Sequence, residues 1–287
     1  MKYAFIKQQS RQYSIAQMVN ALDVSSSGYY AWIKRDVSQR AKANQLLTKK
    51  IEILHKASRF IYGSPRIHQD FRAQGEAVSR KRVERLMREN NIQSKMAKKF
   101  VITTDSRNTI APAPDRLQRG FVMNTPNKAW VSDTTFIKTR QGWLYLAVVL
   151  DLFSRQVIGW AMGDKNDSAL VQSALTMAIW RRGKVKDVIV HSDQGSTYAS
   201  SHYQQQLTDH QLICSMSRKG ECLDNAVAES FFGTLKTELV DHEDYKTKTE
   251  AKQSLFEYIE VFYNRQRRHS YLGYLNPVEF ERQFASH

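Results

Sequence analysis

The stretch AWVSDTTFIKTRQGWLYLAVVL, residues 129–150, decides how the chain folds. From Ala129 to Ile137 β-branched and aromatic residues dominate, and Gln141-Gly142 reads as a turn. Trp143 to Leu150 is then an unbroken apolar run of strand length. Working outward, residues 155–162 form a third strand, and Asp167 caps a helix running to Arg182. Residues 187–191 hold a Val-Ile-Val core that suits a buried parallel strand. A helix over 200–209, a strand over 212–216 and a helix over 224–240 follow. Three strands and then alternating helix and strand make an α/β layered domain with a mixed five-stranded sheet.

What precedes this domain is helical and basic. Residues 15–22 fit a helix, and Ser25 to Ser27 supply caps for a second one of helix-turn-helix length. A longer helix spans 44–57. Ser64-Pro65 starts another that runs to Ala73, and Ser79 caps a last one that ends at Glu89. On that last helix Val83, Leu86 and Met87 form an apolar back, flanked by Lys81, Arg82, Arg85 and Arg88. The pattern is that of a DNA recognition helix, weighed against a solvated charged face on a small bundle. The expected organisation is a basic helical region over 1–93, a basic linker over 94–128, a catalytic domain over 129–240, and a helix with a basic aromatic tail over 241–287.

Charge supports a polyanionic partner. The chain carries 43 Lys and Arg against 28 Asp and Glu, a net of +15. Residues 1–120 alone hold 24 basic and 9 acidic residues, whereas 121–240 hold 12 and 11 and 241–287 hold 7 and 8. The first 120 residues therefore carry the whole excess, the footprint expected of nucleic-acid binding. The longest apolar run has eight residues, far below the roughly 20 of a membrane span. The N-terminus lacks the apolar region of a signal peptide. Cys214 and Cys222 are too few for a disulfide framework or a Cys-rich zinc site and suit a reducing cytoplasm.

Three acids stand in suggestive places: Asp133 within the first strand, Asp193 just after the fourth, and Glu229 inside the helix over 224–240. With the fourth strand beside the first, both aspartates meet at neighbouring strand ends, where α/β sheets commonly bind ligands. At 100° per residue, Asn225, Glu229 and Lys236 fall within about 40° of one another on one polar face. Clustered carboxylates repel unless cations neutralise them, and hard oxygen ligands suit Mg2+. A pair of such ions activates a nucleophile and stabilises the leaving oxygen in phosphodiester displacement. Lys236 is placed to pair with a phosphate and Asn225 to position DNA or Glu229. His191, beside the second aspartate, is left out of the metal set.

The motifs Trp130-Val131-Ser132-Asp133-Thr134-Thr135, His191-Ser192-Asp193-Gln194-Gly195 and Asp224-Asn225-Ala226-Val227-Ala228-Glu229 resemble the three signatures of the DDE transposase and retroviral-integrase superfamily. Between the last two acids lie 35 residues, and Lys236 matches the basic residue placed seven after the glutamate. The tail Tyr263-Asn264-Arg265-Gln266-Arg267-Arg268-His269-Ser270-Tyr271-Leu272-Gly273-Tyr274 is similar to the C-terminal signature of the third family of bacterial insertion-sequence transposases, as are Tyr62-Gly63-Ser64-Pro65-Arg66-Ile67-His68 and Val78-Ser79-Arg80-Lys81-Arg82-Val83.

The resemblance covers nearly the whole chain. It implies an RNase H-like catalytic domain that uses two Mg2+ ions, with Mn2+ able to substitute, to cut and join double-stranded DNA at element ends. It also implies a homodimer or higher oligomer, no membrane, a place on the bacterial nucleoid, and an upstream-frame product as a candidate fusion partner. Retroviral integrases add an N-terminal His/Cys zinc module, but here no cysteine precedes Cys214. Arg265, Arg267 and Arg268, interleaved with tyrosines, are expected to contact the DNA backbone. The competing readings are a non-catalytic DNA-binding regulator of transposition and a plain RNase H-type nuclease. All three acids are present, which opposes the first, and the basic third opposes the second.

Overall fold

The computed structural model describes residues 1–95, 113–218 and 225–285. Its centre is the expected hairpin. Strands β1 (Ala129–Thr139) and β2 (Gly142–Asp151) run antiparallel, with Trp130 opposite Asp151 and Thr139 opposite Gly142. Gly142 turns the chain at φ +99°, a conformation glycine adopts without strain. Strand β3 (Val157–Gly163) adds antiparallel to β2, and β4 (Ile189–Ser192) and β5 (Ile213–Met216) add parallel on the other side of β1. The order is β3-β2-β1-β4-β5, a mixed five-stranded sheet.

Helix α7 (Ser168–Arg182), capped by Asp167, lies on one face of that sheet with α8 (Ser201–Asp209). Here Trp130, Val149 and Ile158 meet Val171, Ala174, Leu175 and Leu207. Gly159 permits the contact. A Cβ there would stand 2.2 Å from the carbonyl oxygen of Ala174.

The opposite face carries the larger core. Val131, Leu144, Leu146 and Val148 pack with Phe231 and Leu235 of α9 (Ala226–Glu238) and with Leu255 of α10 (Lys248–Phe256). The chain continues from α10 as a π-helix over Glu257–Tyr263, which buries Tyr258, Ile259 and Phe262. Helices α4 (Gln39–Ala57), α5 (Ser64–Ala73) and α6 (Arg80–Glu89) join this same core through Ile51, Ile67, Phe71 and Val83. The expected boundary near residue 93 therefore does not separate two apolar cores. Only α1 (Lys2–Gln9), α2 (Ile15–Ala21) and α3 (Ser26–Lys34) form a small core apart, around Ile6, Met18, Val19 and Tyr29.

Local chemistry explains most element ends. The hydroxyls of Ser25, Ser38 and Ser79 each accept from a backbone N–H three residues on, so α4 begins at the Ser38 cap and not at Asn44. Residues 96–112 of the expected linker lie outside the described residues, as do Cys222 and Asp224. The C-terminal tail is no loose arm: it contains a 3-10 turn at Ser270–Leu272 and helix α11 (Pro277–Ala285). No described helix is long and apolar enough to cross a membrane.

Candidate active site

Parallel pairing sets the first two acids side by side. Val131 of β1 is level with His191 of β4, and two residues further along both chains stand Asp133 and Asp193. Helix α9 brings the third. The side-chain amide of Asn225 donates to the Ser132 carbonyl at 3.3 Å and ties the start of the helix to β1, one turn before Glu229. Ser132 is itself braced from below: its hydroxyl donates to the Val148 carbonyl at 3.0 Å and stands 3.1 Å from the buried Tyr198 hydroxyl.

The charges of these groups bear on the Asp133 carboxyl. Burial, the Asp193 charge and the Glu229 charge push the Asp133 carboxyl up to about 8, against the Thr134 N–H and the Lys236 ammonium, which favour its ionised form. Burial also raises Asp193, opposed by the Gly195 N–H, and raises Glu229. Lys236 is lowered by burial, while Asp241 and Asp133 pull the other way. The other two acids and the lysine thus act on the Asp133 carboxyl.

Two details shape the acids. Asp133 accepts from the Thr134 N–H at 2.7 Å, and Asp193 accepts from the Gly195 N–H at 2.9 Å. A Cβ at position 195 would lie 2.9 Å from the same Asp193 oxygen, so a side chain there would shift that carboxylate. Among the described residues no three His, Cys, Asp or Glu side chains are drawn close enough together to hold a metal ion as they stand. Asp133, Asp193 and Glu229 are hard oxygen donors, the chemical type that suits a divalent cation such as Mg2+. His191 is fully buried with its Nδ1 2.9 Å from the Ser215 hydroxyl.

The basic residues divide sharply. On α6, Lys81 and Arg88 are exposed, and Lys81, Arg82 and Arg85 line a groove of about 720 Å3 together with Gln39, Arg40 and Ser79. Arg82 is held in place there, its Nε and Nη2 donating to the side-chain Oδ1 of Asn44 at 3.1 and 2.8 Å. Arg40 escapes a sequence reading that starts α4 at Asn44.

The tail corrects its expected role. Arg267 is 5% exposed and donates twice to Glu238, at 2.7 Å from Nε and from Nη2. Arg268 is half-buried, with Nε on Asp70 at 2.5 Å and Nη1 on the Tyr274 carbonyl at 3.1 Å. Both guanidinium groups are thus taken up by partners inside the fold. Arg265 alone of the three is exposed. Asn225 is likewise buried, with its side-chain amide on the Ser132 carbonyl. Tyr62 completes this internal lock: its hydroxyl accepts from the Arg268 N–H at 2.7 Å and donates to the Gln266 carbonyl at 3.2 Å. Tyr198 and Gly195, which support the acids, were not singled out by the sequence reading. The signal for both is their place just after Asp193, in the Asp193-Gln194-Gly195-Ser196-Thr197-Tyr198 turn.

Comparison with known proteins places this geometry. Family models described as "Integrase core domain" match residues 123–222 and 229–284, and one described as "HTH-like domain" matches residues 42–100. The chain is 40% identical over 283 residues to "Transposase InsF for insertion sequence IS3A" of Escherichia coli (strain K12), covering 98% of each. It is 39% identical over 267 residues to the "Insertion element IS600 uncharacterized 31 kDa protein" of Shigella sonnei, covering 93% of this chain and 98% of that one. Among solved structures, the HTLV-2 integrase catalytic core domain in complex with magnesium (trimeric form) aligns over 55% of this chain and 98% of its own, at 20% identity and a TM-score of 0.43.

Proposed function

The chain belongs to the insertion-sequence transposases with an integrase core, and from that premise we propose that Asp133, Asp193 and Glu229 are its catalytic, metal-holding residues. The protein is a DNA transposase, an enzyme that cleaves DNA strands and transfers them. The observation that carries the site assignment is the convergence of two further carboxylates and Lys236 on the Asp133 carboxyl.

Bound divalent ions, two Mg2+ with Mn2+ able to substitute, would supply nucleophile activation and charge neutralisation for phosphodiester displacement. The chain's own residues supply the placement. Asp133 sits on β1 and Asp193 just past the end of the neighbouring β4, so the pairing of the two strands sets their placement, and Asn225 sets Glu229 against them. Lys236, on the same helix as Glu229, pairs with the phosphate next to the bond that breaks. The groove between α4 and α6 grips the duplex backbone through Arg40, Lys81, Arg82 and Arg85, with Arg88 and Arg265 as outlying contacts.

A transposition event joins two element ends, and one triad per chain serves one strand at a time, so the working species is a homodimer or larger on DNA. The upstream-frame product, fused to this chain, is the candidate for reading the end sequence. By this reading the protein works where its DNA lies, on the nucleoid. The test is incubation of the full chain with labelled element-end DNA and Mg2+. Cleavage should appear with Mg2+ and vanish with chelator. Each of Asp133→Ala, Asp193→Ala and Glu229→Ala should abolish it while duplex binding stays near normal. Near-normal cleavage by any one variant removes that residue from the site.

A further inference from the structure

Helices α1, α2 and α3 form a unit with its own core, which neither the acids nor the basic groove uses. Four residues, Leu22 to Ser25, join α2 to α3. Asp23 takes the left-handed conformation at φ +50°. Its N–H donates to the Asn20 carbonyl at 3.2 Å, and the Val24 N–H donates to the Val19 carbonyl at 3.0 Å. That pair of bonds ends a helix sharply and redirects the chain within one residue. Ser25 then caps α3 by accepting from the Gly28 N–H at 3.0 Å. Met18 and Val19 of α2, Val24 of the turn, and Tyr29 and Trp32 of α3 all pack in the small core. Tyr3 of α1 closes it, its ring centroid 6.1 Å from those of Tyr29 and Trp32, and the Lys2 ammonium donates to the Leu22 carbonyl at 2.7 Å. Length alone allows a helix-turn-helix here. The fixed four-residue turn and the third helix behind it complete that arrangement, whose second helix enters the major groove of DNA.

The outer face of α3 has the chemistry for that place. Ser26, Ser27, Tyr30, Ala31 and Lys34 are all exposed. At 100° per residue they span about 140° of the helix, opposite Gly28, Tyr29 and Trp32. Hydroxyl groups both donate to and accept from base edges, and the methyl group of alanine fits against that of thymine. Residues 1–35 hold five Lys and Arg against one acid, Asp23, and no acid stands on α3, so the charge favours a phosphate backbone. We propose that α3 reads base edges in the major groove of the element end through Ser26, Ser27, Tyr30 and Ala31, with Lys34 on the backbone. The proposal rests on the transposase reading for its choice of DNA. It goes beyond the groove between α4 and α6, which grips any duplex, and gives this chain a share in recognising the end beside the candidate upstream-frame product.

The experiment measures binding of the full chain, without divalent metal, to an element-end duplex and to a duplex of the same composition with the end sequence scrambled. The wild type should favour the end by about 1,000-fold or more. Ser26→Ala and Tyr30→Ala should each cut that preference by about 5- to 150-fold, the range for one misread base pair, while binding to the scrambled duplex stays as in the wild type. Tyr30 packs edge-on against Tyr29 at 5.4 Å, so Tyr30→Phe, which keeps the ring and removes the hydroxyl, separates lost reading from lost packing and should lower the preference too. Lys81→Ala with Arg85→Ala should weaken both duplexes alike. In parallel, dimethyl sulfate probes guanine N7, which lies in the major groove. The wild type should protect guanines of the end, and the two alanine variants should lose protection at one or two of them. A wild-type preference near one, a preference that all three α3 variants keep, or N7 protection unchanged in both alanine variants overturns the proposal. Because binding is read without metal, failure of Mg2+-dependent cleavage in the same preparations counts against the catalytic reading and leaves this result separate.

Discussion

Helix α6 and the segment 263–274 look alike as sequence, since both interleave arginines with apolar or aromatic residues, yet the fold uses them in opposite ways. Lys81, Arg82 and Arg85 line an open groove, whereas Arg267 is buried on Glu238 and Arg268 is drawn to Asp70. Surplus charge makes the difference. Residues 1–120 hold 24 basic against 9 acidic residues, so most cations there have no acid to meet inside the fold. Residues 241–287 hold 7 against 8, enough acid to balance every arginine, and Glu238 and Asp70 are further acids that reach them. On α6 that surplus leaves Lys81 and Arg88 exposed, while Arg85 pairs with the exposed Glu89 one turn on at 3.3 Å.

That contrast can be broken most forcefully at Arg267. Removing it leaves Glu238 buried with its main partner gone, since only the Tyr258 hydroxyl at 2.7 Å and Arg66 at 3.4 Å remain. Arg267→Met should cost about 3–5 kcal/mol of stability by urea denaturation. Lys81→Ala, on the exposed side of the comparison, should stay within about 0.5 kcal/mol. Equal costs would mean that the two segments are not used differently.

Salt sharpens the same contrast. Lys81→Ala with Arg85→Ala should weaken duplex binding and reduce the slope of log affinity against log salt by about 2, roughly one per lost phosphate contact. Arg268→Ala, which removes a side chain already held by Asp70, should leave that slope unchanged. A slope that shifts for Arg268 would return it to the DNA-contacting set.

The smallest effect is the pH response, and its sign differs between lock and active site. Burial alone would raise Glu238, but the hydrogen bonds and charge of Arg267, the Tyr258 hydroxyl and Arg66 hold it below its usual 4.5. Its contribution is present above about pH 4.5 and lost as pH falls through its lower folded value. Asp133 runs the other way. Raised from 3.8 to about 8 by burial and its acidic neighbours, it contributes stability below pH 3.8 that drains away as pH climbs towards 8. Without divalent metal, Asp133→Asn should therefore raise the melting temperature by a few degrees at pH 8.5 and leave it unchanged at pH 4. Added Mg2+ should stabilise the wild type and not the variant. A variant less stable than wild type at pH 8.5 would contradict the crowding of charge at that carboxyl.

How much of this was readable in advance follows the range of the interactions. Helix α6 runs from Arg80 to Glu89 as the Ser79 cap foretold, because a cap acts over three residues. The β1–β2 hairpin was legible from one glycine and two apolar runs, and the acids from their places on strand, strand end and helix. The lock was not legible, because Glu238 and Arg267 are 29 positions apart and Tyr62 and Arg268 are 206 apart. Nothing local tells a buried arginine from an exposed one. Helix α1 was missed because Ile6 is its one buried residue, which leaves no apolar stripe to read. Helix α11 was hidden by the expectation of a tail, although its Pro277 stands at a favoured helix start.

The central claim is that grip and chemistry occupy different parts of the chain, and one paired assay meets it most directly. Wild type, Asp133→Asn, and Lys81→Ala with Arg85→Ala would be compared on the same labelled end DNA, scoring binding across a salt series and Mg2+-dependent cleavage at saturating protein. The account predicts that Asp133→Asn binds as wild type does and cleaves nothing. The groove variant should bind more weakly with a shallower salt slope, yet cleave at close to the wild-type rate once saturated. Cleavage by Asp133→Asn, or lost cleavage with unchanged binding in the groove variant, would contradict it.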